Sequence, residues 1–112
     1  MSIFNKERIV YEDDKIVVIM KDNPSKNGEL LLTTKEHLED FTEIDEELLW
    51  HIHKVLKDIK CLICDKLNPT GINIINSYGE SNKYNCFYLD IIPVYYPEQP
   101  LVDIDIIFNK LK

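Results

Sequence analysis

The sequence predicts an α+β domain in which an antiparallel sheet carries one long helix on one face. Two observations lead to this fold class. Short β-branched and apolar runs precede and follow a single long amphipathic segment, residues 45–67. The run from Asn85 to Pro93 alternates strictly between polar and apolar side chains, as a strand with two different faces does. No repeat or low-complexity segment interrupts this order.

Length, composition and charge indicate the number of domains and the kinds of partner. The 112 residues, 45% of them hydrophobic, are enough for one core, so we predict a single domain, 1–112, with an N-terminal extension at 1–8 and a C-terminal tail at 94–112. We expect a cytoplasmic protein without a membrane partner, because no apolar run approaches the roughly 20 residues of a membrane helix and the charged N-terminus lacks a signal-peptide core. The net charge of −7 argues against nucleic acid as a partner.

The first three strands are predicted before the helix. Ile9 to Tyr11 and Lys15 to Met20 are β-branched runs joined by three acidic residues, which is typical of a hairpin. Turn-forming residues fill the segment from Lys21 to Gly28, which we therefore assign to a loop. Glu29 to Thr33 follows as the third strand, and its three consecutive leucines predict burial on both faces of the sheet.

The long helix is predicted from about Asp45 to Leu67, with Thr42 or Asp45 as its N-cap. Acidic residues crowd its start and lysines occupy its later turns, in agreement with the helix dipole. One stripe of this helix carries the residues of the predicted core face: Leu48, Leu49, Ile52, Val55, Leu56, Ile59, Leu62, Ile63 and Leu67.

A second stripe on the opposite side of the helix carries Trp50, His53, Lys57, Cys61 and Cys64. Either it is an exposed aromatic residue beside two unreactive thiols, or it is a buried contact such as a homodimer interface. The histidines lie about 12 to 15 Å along the helix from the thiols, so we predict no metal site within one chain. The odd number of cysteines favours reduced thiols over disulfides.

The C-terminal part supplies two strands and the tail. Asn68 to Gly71 ends the helix, and Ile72 to Ile75 is the fourth strand. A polar loop from Asn76 to Asn85 leads into the fifth strand, Cys86 to Ile92. The tail from Leu101 to Lys112 fits both strand and helix spacing, and we favour a helix.

The fifth strand has two different faces. Phe87, Leu89 and Ile91 share the apolar one, which we expect to pack against the helix. The other face carries side chains that can ionise or form hydrogen bonds: Cys86, Tyr88 and Asp90. That second face is either a site in a shared cleft or the ordinary solvent-facing side of an antiparallel sheet.

Together these segments resemble the histidine triad (HIT) family of nucleotide hydrolases and transferases. The segments that carry the resemblance run in order from Ile9 to Pro93: Ile9-Val10-Tyr11-Glu12-Asp13-Asp14, Asn23-Pro24, Gly28 with the leucines and Lys35-Glu36-His37, the long helix, Gly71-Ile72-Asn73-Ile74 and Ile91-Ile92-Pro93. The resemblance implies a HIT-like fold, a nucleotide cleft, and homodimers that pair through the long helix and the adjoining strand. No cofactor is implied.

The signature positions differ from the family pattern. The resemblance places the three histidines of the triad at Cys86, Tyr88 and Asp90, with the nucleophile at Tyr88, and a further histidine at Glu29. This chain therefore resembles a degenerate member of the family that lacks the triad histidines.

The ligand-binding positions are also changed. At the position where the family has an acidic residue that contacts the ribose hydroxyls, this chain has Lys21. Asp22, the next residue, could take over that contact after a one-residue shift. On the phosphate side, Asn76 stands near the family's loop asparagine with one residue deleted, and Asn82 stands at a glutamine position. Lys83 lies in the same loop.

These exchanges predict loss of the family's reaction. Neutral imidazole is nucleophilic near pH 7, whereas a phenol, with a usual pKa of about 10, is mostly protonated there. Anionic neighbours such as Asp90 and Glu29 make a phenol harder to ionise and repel phosphate. Two functions remain: a catalytically silent module that binds a small nucleotide- or phosphate-like ligand or a protein, and a nucleotide hydrolase or transferase that uses Tyr88, Asp90 or Cys86. The state of the cleft would distinguish these two functions. The cleft is either open and ringed by hydrogen-bond donors, or filled by side chains.

Overall fold

The computed structural model describes residues 8–112; residues 1–7, which make up most of the predicted N-terminal extension, lie outside the described residues. It contains one five-stranded sheet, formed by β1 (Ile9–Glu12), β2 (Ile16–Met20), β3 (Leu30–Thr34), β4 (Gly71–Asn76) and β5 (Tyr88–Val94). The helices are α1 (Glu46–Leu67) and α2 (Ile104–Leu111), with short 3-10 turns at Phe41–Glu43 and Gly79–Ser81. The α+β class, the five strands and the long helix are confirmed.

The strands lie in the order β1-β2-β3-β5-β4, and each neighbouring pair is antiparallel. β1 and β2 form the predicted hairpin, and β1 and β4 are the outer strands. β3 and β5 meet near the centre, where Leu31 lies opposite Asp90. Because side chains alternate across a strand, this register places Glu29 and Asp90 on the same face of the sheet.

α1 begins and ends at residues that satisfy its free backbone groups. The Asp45 carboxylate accepts a hydrogen bond of 2.8 Å from the Leu48 amide, which makes Asp45 rather than Thr42 the N-cap. Asn68 adopts a left-handed conformation, with φ 50°, and ends the helix. The prediction of Leu49 as a core residue was wrong: it lies at the edge of the apolar stripe, is 58% exposed and lines a groove instead.

The sheet carries an apolar layer on each face. Toward α1, the large cluster combines Ile52, Val55, Ile59 and Ile63 of the helix with Phe87, Leu89 and Ile91 and with residues of β2 and β3. Away from α1, a smaller cluster consists of Val17, Ile19, Leu31, Cys86 and Tyr88, with Ile9 and Tyr84 packed against it. The three leucines of β3 therefore divide between two buried faces, as predicted.

The C-terminal tail folds back onto the domain. The Asn27 side chain donates to the Pro100 carbonyl at 3.0 Å and accepts from the Val102 amide at 2.8 Å. The Tyr95 hydroxyl donates to the Asn27 carbonyl at 2.7 Å. α2 then buries Ile107 and Leu111 in the large cluster, so the tail forms a helix where the sequence allowed helix or strand. Within the described part of the chain, neither helix is long and apolar enough to cross a membrane.

Candidate functional site

The candidate site lies on the face of the sheet that points away from α1. Cys86 and Tyr88 occupy this face, but they are only 8% and 4% exposed. The ring of Tyr84 packs edge-on against that of Tyr88, with the ring centroids 4.9 Å apart. At these two positions the predicted cleft is therefore filled by side chains, which is one of the two outcomes that the sequence left open.

Burial also reduces the nucleophilic character of this region. It raises the pKa of the Cys86 thiol, and a hydrogen bond with Thr33 offsets this in part. It likewise raises the pKa of Tyr84, against the lowering effect of the Lys21 ammonium. The reactive form of a cysteine is the thiolate. Neither side chain is thus prepared to act as a nucleophile near neutral pH.

Next to the two tyrosines lies a group of polar side chains that we call the carboxyl cluster: Lys21, Ser25, Glu29 and Asp90. Glu29, only 1% exposed, accepts hydrogen bonds from the amide and hydroxyl of Ser25 at 2.7 and 2.9 Å. Its other oxygen accepts from Lys21 Nζ at 3.1 Å. Asp90 Oδ2 lies 3.9 Å from the same Lys21 Nζ, so the two carboxyl groups face one ammonium group.

The two carboxyl groups of this cluster differ in their affinity for a proton. Burial and the neighbouring Glu29 raise the pKa of Asp90 to about 7, although Lys21 and Lys83 act in the opposite direction. Burial also acts to raise the pKa of Glu29, but hydrogen bonds from Asp90, Ser25 and Lys21 outweigh it and lower that pKa. Below neutral pH the pair therefore holds one proton, which Asp90 carries, and near pH 7 Asp90 is about half ionised.

The other predicted ligand-binding residues do not all join this cluster. Asp22 is half exposed and pairs with Arg8 at 3.6 Å. Lys83 is exposed and lies close enough to Asp90 to act on it electrostatically. Asn76 ends β4 opposite Leu89 and lines a groove on the α1 side of the sheet, away from the carboxyl cluster.

Asn82 shapes the loop before β5. Its side-chain amide donates to the carbonyls of Ser77 and Cys86, at 3.1 and 2.8 Å. Its side-chain oxygen accepts from the amides of Tyr84 and Asn85, at 2.9 and 3.0 Å. With these four bonds, the Asn82 side chain holds Tyr84 where its ring covers Tyr88.

A second surface feature, the α1–β4 groove, runs between the long helix and the outer strand. It has a volume of about 480 Å³, and its walls include His53, Lys57, Cys64, Ile72 and Ile74. A neighbouring groove of about 330 Å³ is lined by Phe41, Ile44 and Leu49. Trp50 stacks on His53, with ring centroids 5.7 Å apart, and remains 63% exposed. Cys61 is exposed on the same helix. The resemblance implied a contact through the helix and an adjoining strand, but the interface residues named from the sequence all lie on the helix, so Ile72 and Ile74 were not predicted.

Comparison with known proteins decides the family of this chain. The HIT domain model matches residues 4–85, well over half of the sequence. The chain belongs to the HIT family. The match stops directly before Cys86, the first residue of the segment in which the triad histidines were expected.

Other known proteins resemble the chain over nearly its full length. An uncharacterized HIT-like protein of Methanocaldococcus jannaschii is 32% identical over 116 residues, which cover 94% of this chain and 88% of that protein. A hypothetical histidine triad nucleotide-binding protein of Sulfolobus tokodaii has a similar structure, with a TM-score of 0.82 and 24% identity over 93% of this chain and 80% of its own. The structure of diadenosine triphosphate hydrolase of Plasmodium falciparum is also similar, with a TM-score of 0.77 and 18% identity; the match covers 96% of this chain and 74% of that one. The HIT fold therefore extends through β5.

Proposed function

We propose that this HIT protein is a binding module that does not carry out nucleotidyl transfer. The observation that carries the proposal is the state of the expected nucleophile position: Tyr88 is 4% exposed and lies under the ring of Tyr84. A nucleophile needs an open approach for the substrate and a base that removes its proton. Here the ring of Tyr84 covers the approach to Tyr88, with the two ring centroids 4.9 Å apart.

The charge of the carboxyl cluster supports the same conclusion. Lys21 is already paired with Glu29, so the cluster is neutral when Asp90 is protonated and carries a net negative charge when Asp90 is ionised. A phosphate placed at this position would meet no net positive charge. We therefore propose that a nucleotide- or phosphate-like ligand, the class named for the Sulfolobus and Plasmodium relatives, binds weakly and through the exposed Lys83.

An activity assay tests the proposal. Purified protein should release no product above the buffer rate from adenosine phosphoramidate or dinucleoside polyphosphates, and its intact mass should show no covalent nucleotide. The Tyr88→Phe variant, which removes only the phenol oxygen, should behave like the wild type. A turnover that Tyr88→Phe, Cys86→Ser or Asp90→Asn abolishes would instead establish the alternative, a nucleotide hydrolase or transferase with altered catalytic residues.

The proposed role of Lys83 has its own test. Reversing its charge in Lys83→Glu should weaken the binding of ADP or inorganic phosphate about tenfold, since a loss of about 1.4 kcal/mol corresponds to that factor. Calorimetry measures the change. Lys110→Glu changes another exposed lysine, on α2; it is the matched control and should bind as the wild type does. Equal affinities for all three proteins would remove Lys83 from the site.

We further propose that a second copy of the chain covers the α1–β4 groove. β4 is an outer strand, and its Ile74, which lines this groove, is 49% exposed. Outer strands with exposed apolar side chains are normally covered, because they otherwise pair with other chains. A twofold axis would bring each exposed Trp50 toward the apolar groove of its partner and make the contact self-complementary. The resemblance to HIT homodimers points to the same surface.

A further inference from the structure

We propose that Glu29 and Asp90 form a proton-operated latch: one proton between them holds Asp90 against Glu29, and its loss releases Asp90 toward the loop that carries Lys83. The latch lies in the cleft of the proposed binding module and would regulate it. It rests on the geometry of the carboxyl cluster in the free protein and does not require a ligand.

Glu29 is the fixed half of the latch. It immediately precedes β3 and is 1% exposed, and three donors from the preceding loop hold its two oxygens: the Ser25 amide, the Ser25 hydroxyl and Lys21 Nζ. A buried carboxylate with these partners is stable only where they reach it. Glu29 therefore stays in place and ionised in both states.

Asp90 is the movable half. Its side chain is 18% exposed, and its Oδ1 is buried but receives no hydrogen bond from any described residue. Lys21 Nζ, at 3.9 Å, is beyond hydrogen-bonding distance. Asp90 and Glu29 lie on the same face of the sheet and approach the same Lys21 Nζ, at 3.9 and 3.1 Å. Two carboxyl groups that face each other in this way can share a hydrogen bond only while one of them is protonated.

The groups that face Asp90 from the surrounding elements decide how readily it loses its proton. The anion Glu29 comes from the residue directly before β3, and the cation Lys21 from the loop after β2. The loop before β5 contributes Lys83 and Tyr84. β4 places an apolar residue, Ile75, opposite Asp90. One anion in contact opposes ionisation, and two cations at longer range favour it. The pKa of Asp90 of about 7 agrees with this arrangement.

Deprotonation would place two negative charges in contact in a partly buried site, where their repulsion is weakly screened. Only Asp90 has solvent access through which it can move away. Lys83 is exposed in the adjacent loop and attracts the ionised form. Release of the latch would therefore pair Asp90 with Lys83 and remove that lysine from an anionic ligand. The cleft would bind anions better below neutral pH than above it.

Carbon-detected NMR of the ligand-free protein tests the latch. The Asp90 carboxyl resonance should titrate with a midpoint near pH 7, and the backbone amides around Lys83 should shift with the same midpoint. Asp90→Asn should abolish the shift at Lys83, while Asp22→Asn, which removes a neighbouring exposed acid, should leave both midpoints unchanged. Lys83→Met should raise the Asp90 midpoint, because a cation that favours ionisation is gone.

Two results would overturn the latch. One is a midpoint for Asp90 below about pH 5, close to the value of an ordinary aspartate, because Asp90 would then hold no proton near neutral pH. The other is a titration of Asp90 near pH 7 that the Lys83 amides do not follow, because the side chain would then not move toward that loop. Neither result bears on turnover, so the latch and the absence of nucleotidyl transfer can fail separately.

Discussion

Asp13→Asn is expected to lower the free energy of unfolding by about 3 kcal/mol, more than the loss of a typical surface acid. Asp13 Oδ1 accepts hydrogen bonds from the amides of Lys15 and Ile16, both at 2.8 Å. Its Oδ2 lies 2.5 Å from the Tyr11 hydroxyl and 2.7 Å from His51 Nε2. One carboxylate therefore joins the turn between β1 and β2 to the long helix.

The substituted amide cannot replace this carboxylate. Asparagine has a single acceptor oxygen, and its NH₂ group would face groups that now donate to Asp13. Partial burial acts to raise the pKa of Asp13, but the bonds from Tyr11, Lys15, Ile16 and His51 outweigh it and lower that pKa. The same contact raises the pKa of Tyr11 to about 12. Both shifts show that the ionised carboxylate is the form that the fold stabilises.

The stabilisation that Asp13 contributes depends on pH. Because the pKa of Asp13 is lower in the folded protein than in the unfolded one, its contribution is present above about pH 4 and is lost as the pH falls through the folded value. Urea unfolding of wild type and Asp13→Asn should differ most near neutral pH and converge in acid. Asp14→Asn, at the next, exposed position, should change stability by less than about 0.5 kcal/mol. Equal effects of the two substitutions would contradict the structural role of Asp13.

Much of the fold could be predicted because its periodicities are unambiguous. The alternation from Cys86 to Ile91 correctly separated Phe87, Leu89 and Ile91 from Cys86 and Tyr88, and those two sets pack on opposite faces of the sheet. The start of β5 was less accurate. Phe87 donates its amide to the Leu38 carbonyl at 2.7 Å instead of to a strand, so pairing begins at Tyr88.

The state of the cleft could not be predicted from the same pattern. Alternation places Tyr88 on a face, but whether that face is open depends on side chains from distant segments, such as Val17, Leu31 and Tyr84. The insertion or deletion of one residue in a strand also moves the side chains that follow it to the opposite face of the sheet. The deletion inferred before Asn76 fits this effect, since Asn76 lies on the α1 side of the sheet. Ser25 lies in the turn-rich loop, and nothing in the sequence links it to Glu29.

Wild-type protein is expected to sediment at micromolar concentration with twice the 13.2 kDa mass of one chain, and Ile74→Arg should reduce that mass to one chain. Ile74 lies in the outer strand β4, lines the α1–β4 groove and is 49% exposed. In the proposed dimer an arginine there would place an unpaired charge in the apolar centre of the contact, which costs several kcal/mol. In the free chain it would point into solvent and leave the large core cluster intact.

Matched variants separate loss of the interface from loss of the fold. Trp50→Ala should also yield single chains, because large aromatic residues contribute most to such contacts. Ile106→Arg, which puts the same charge on an exposed isoleucine of α2, should remain a dimer. Circular dichroism should give the same helix content for all of these proteins. If the wild type sediments as one chain at every concentration, the proposed dimer is wrong; if Ile74→Arg and Trp50→Ala stay dimeric, the chains pair through a surface other than the α1–β4 groove.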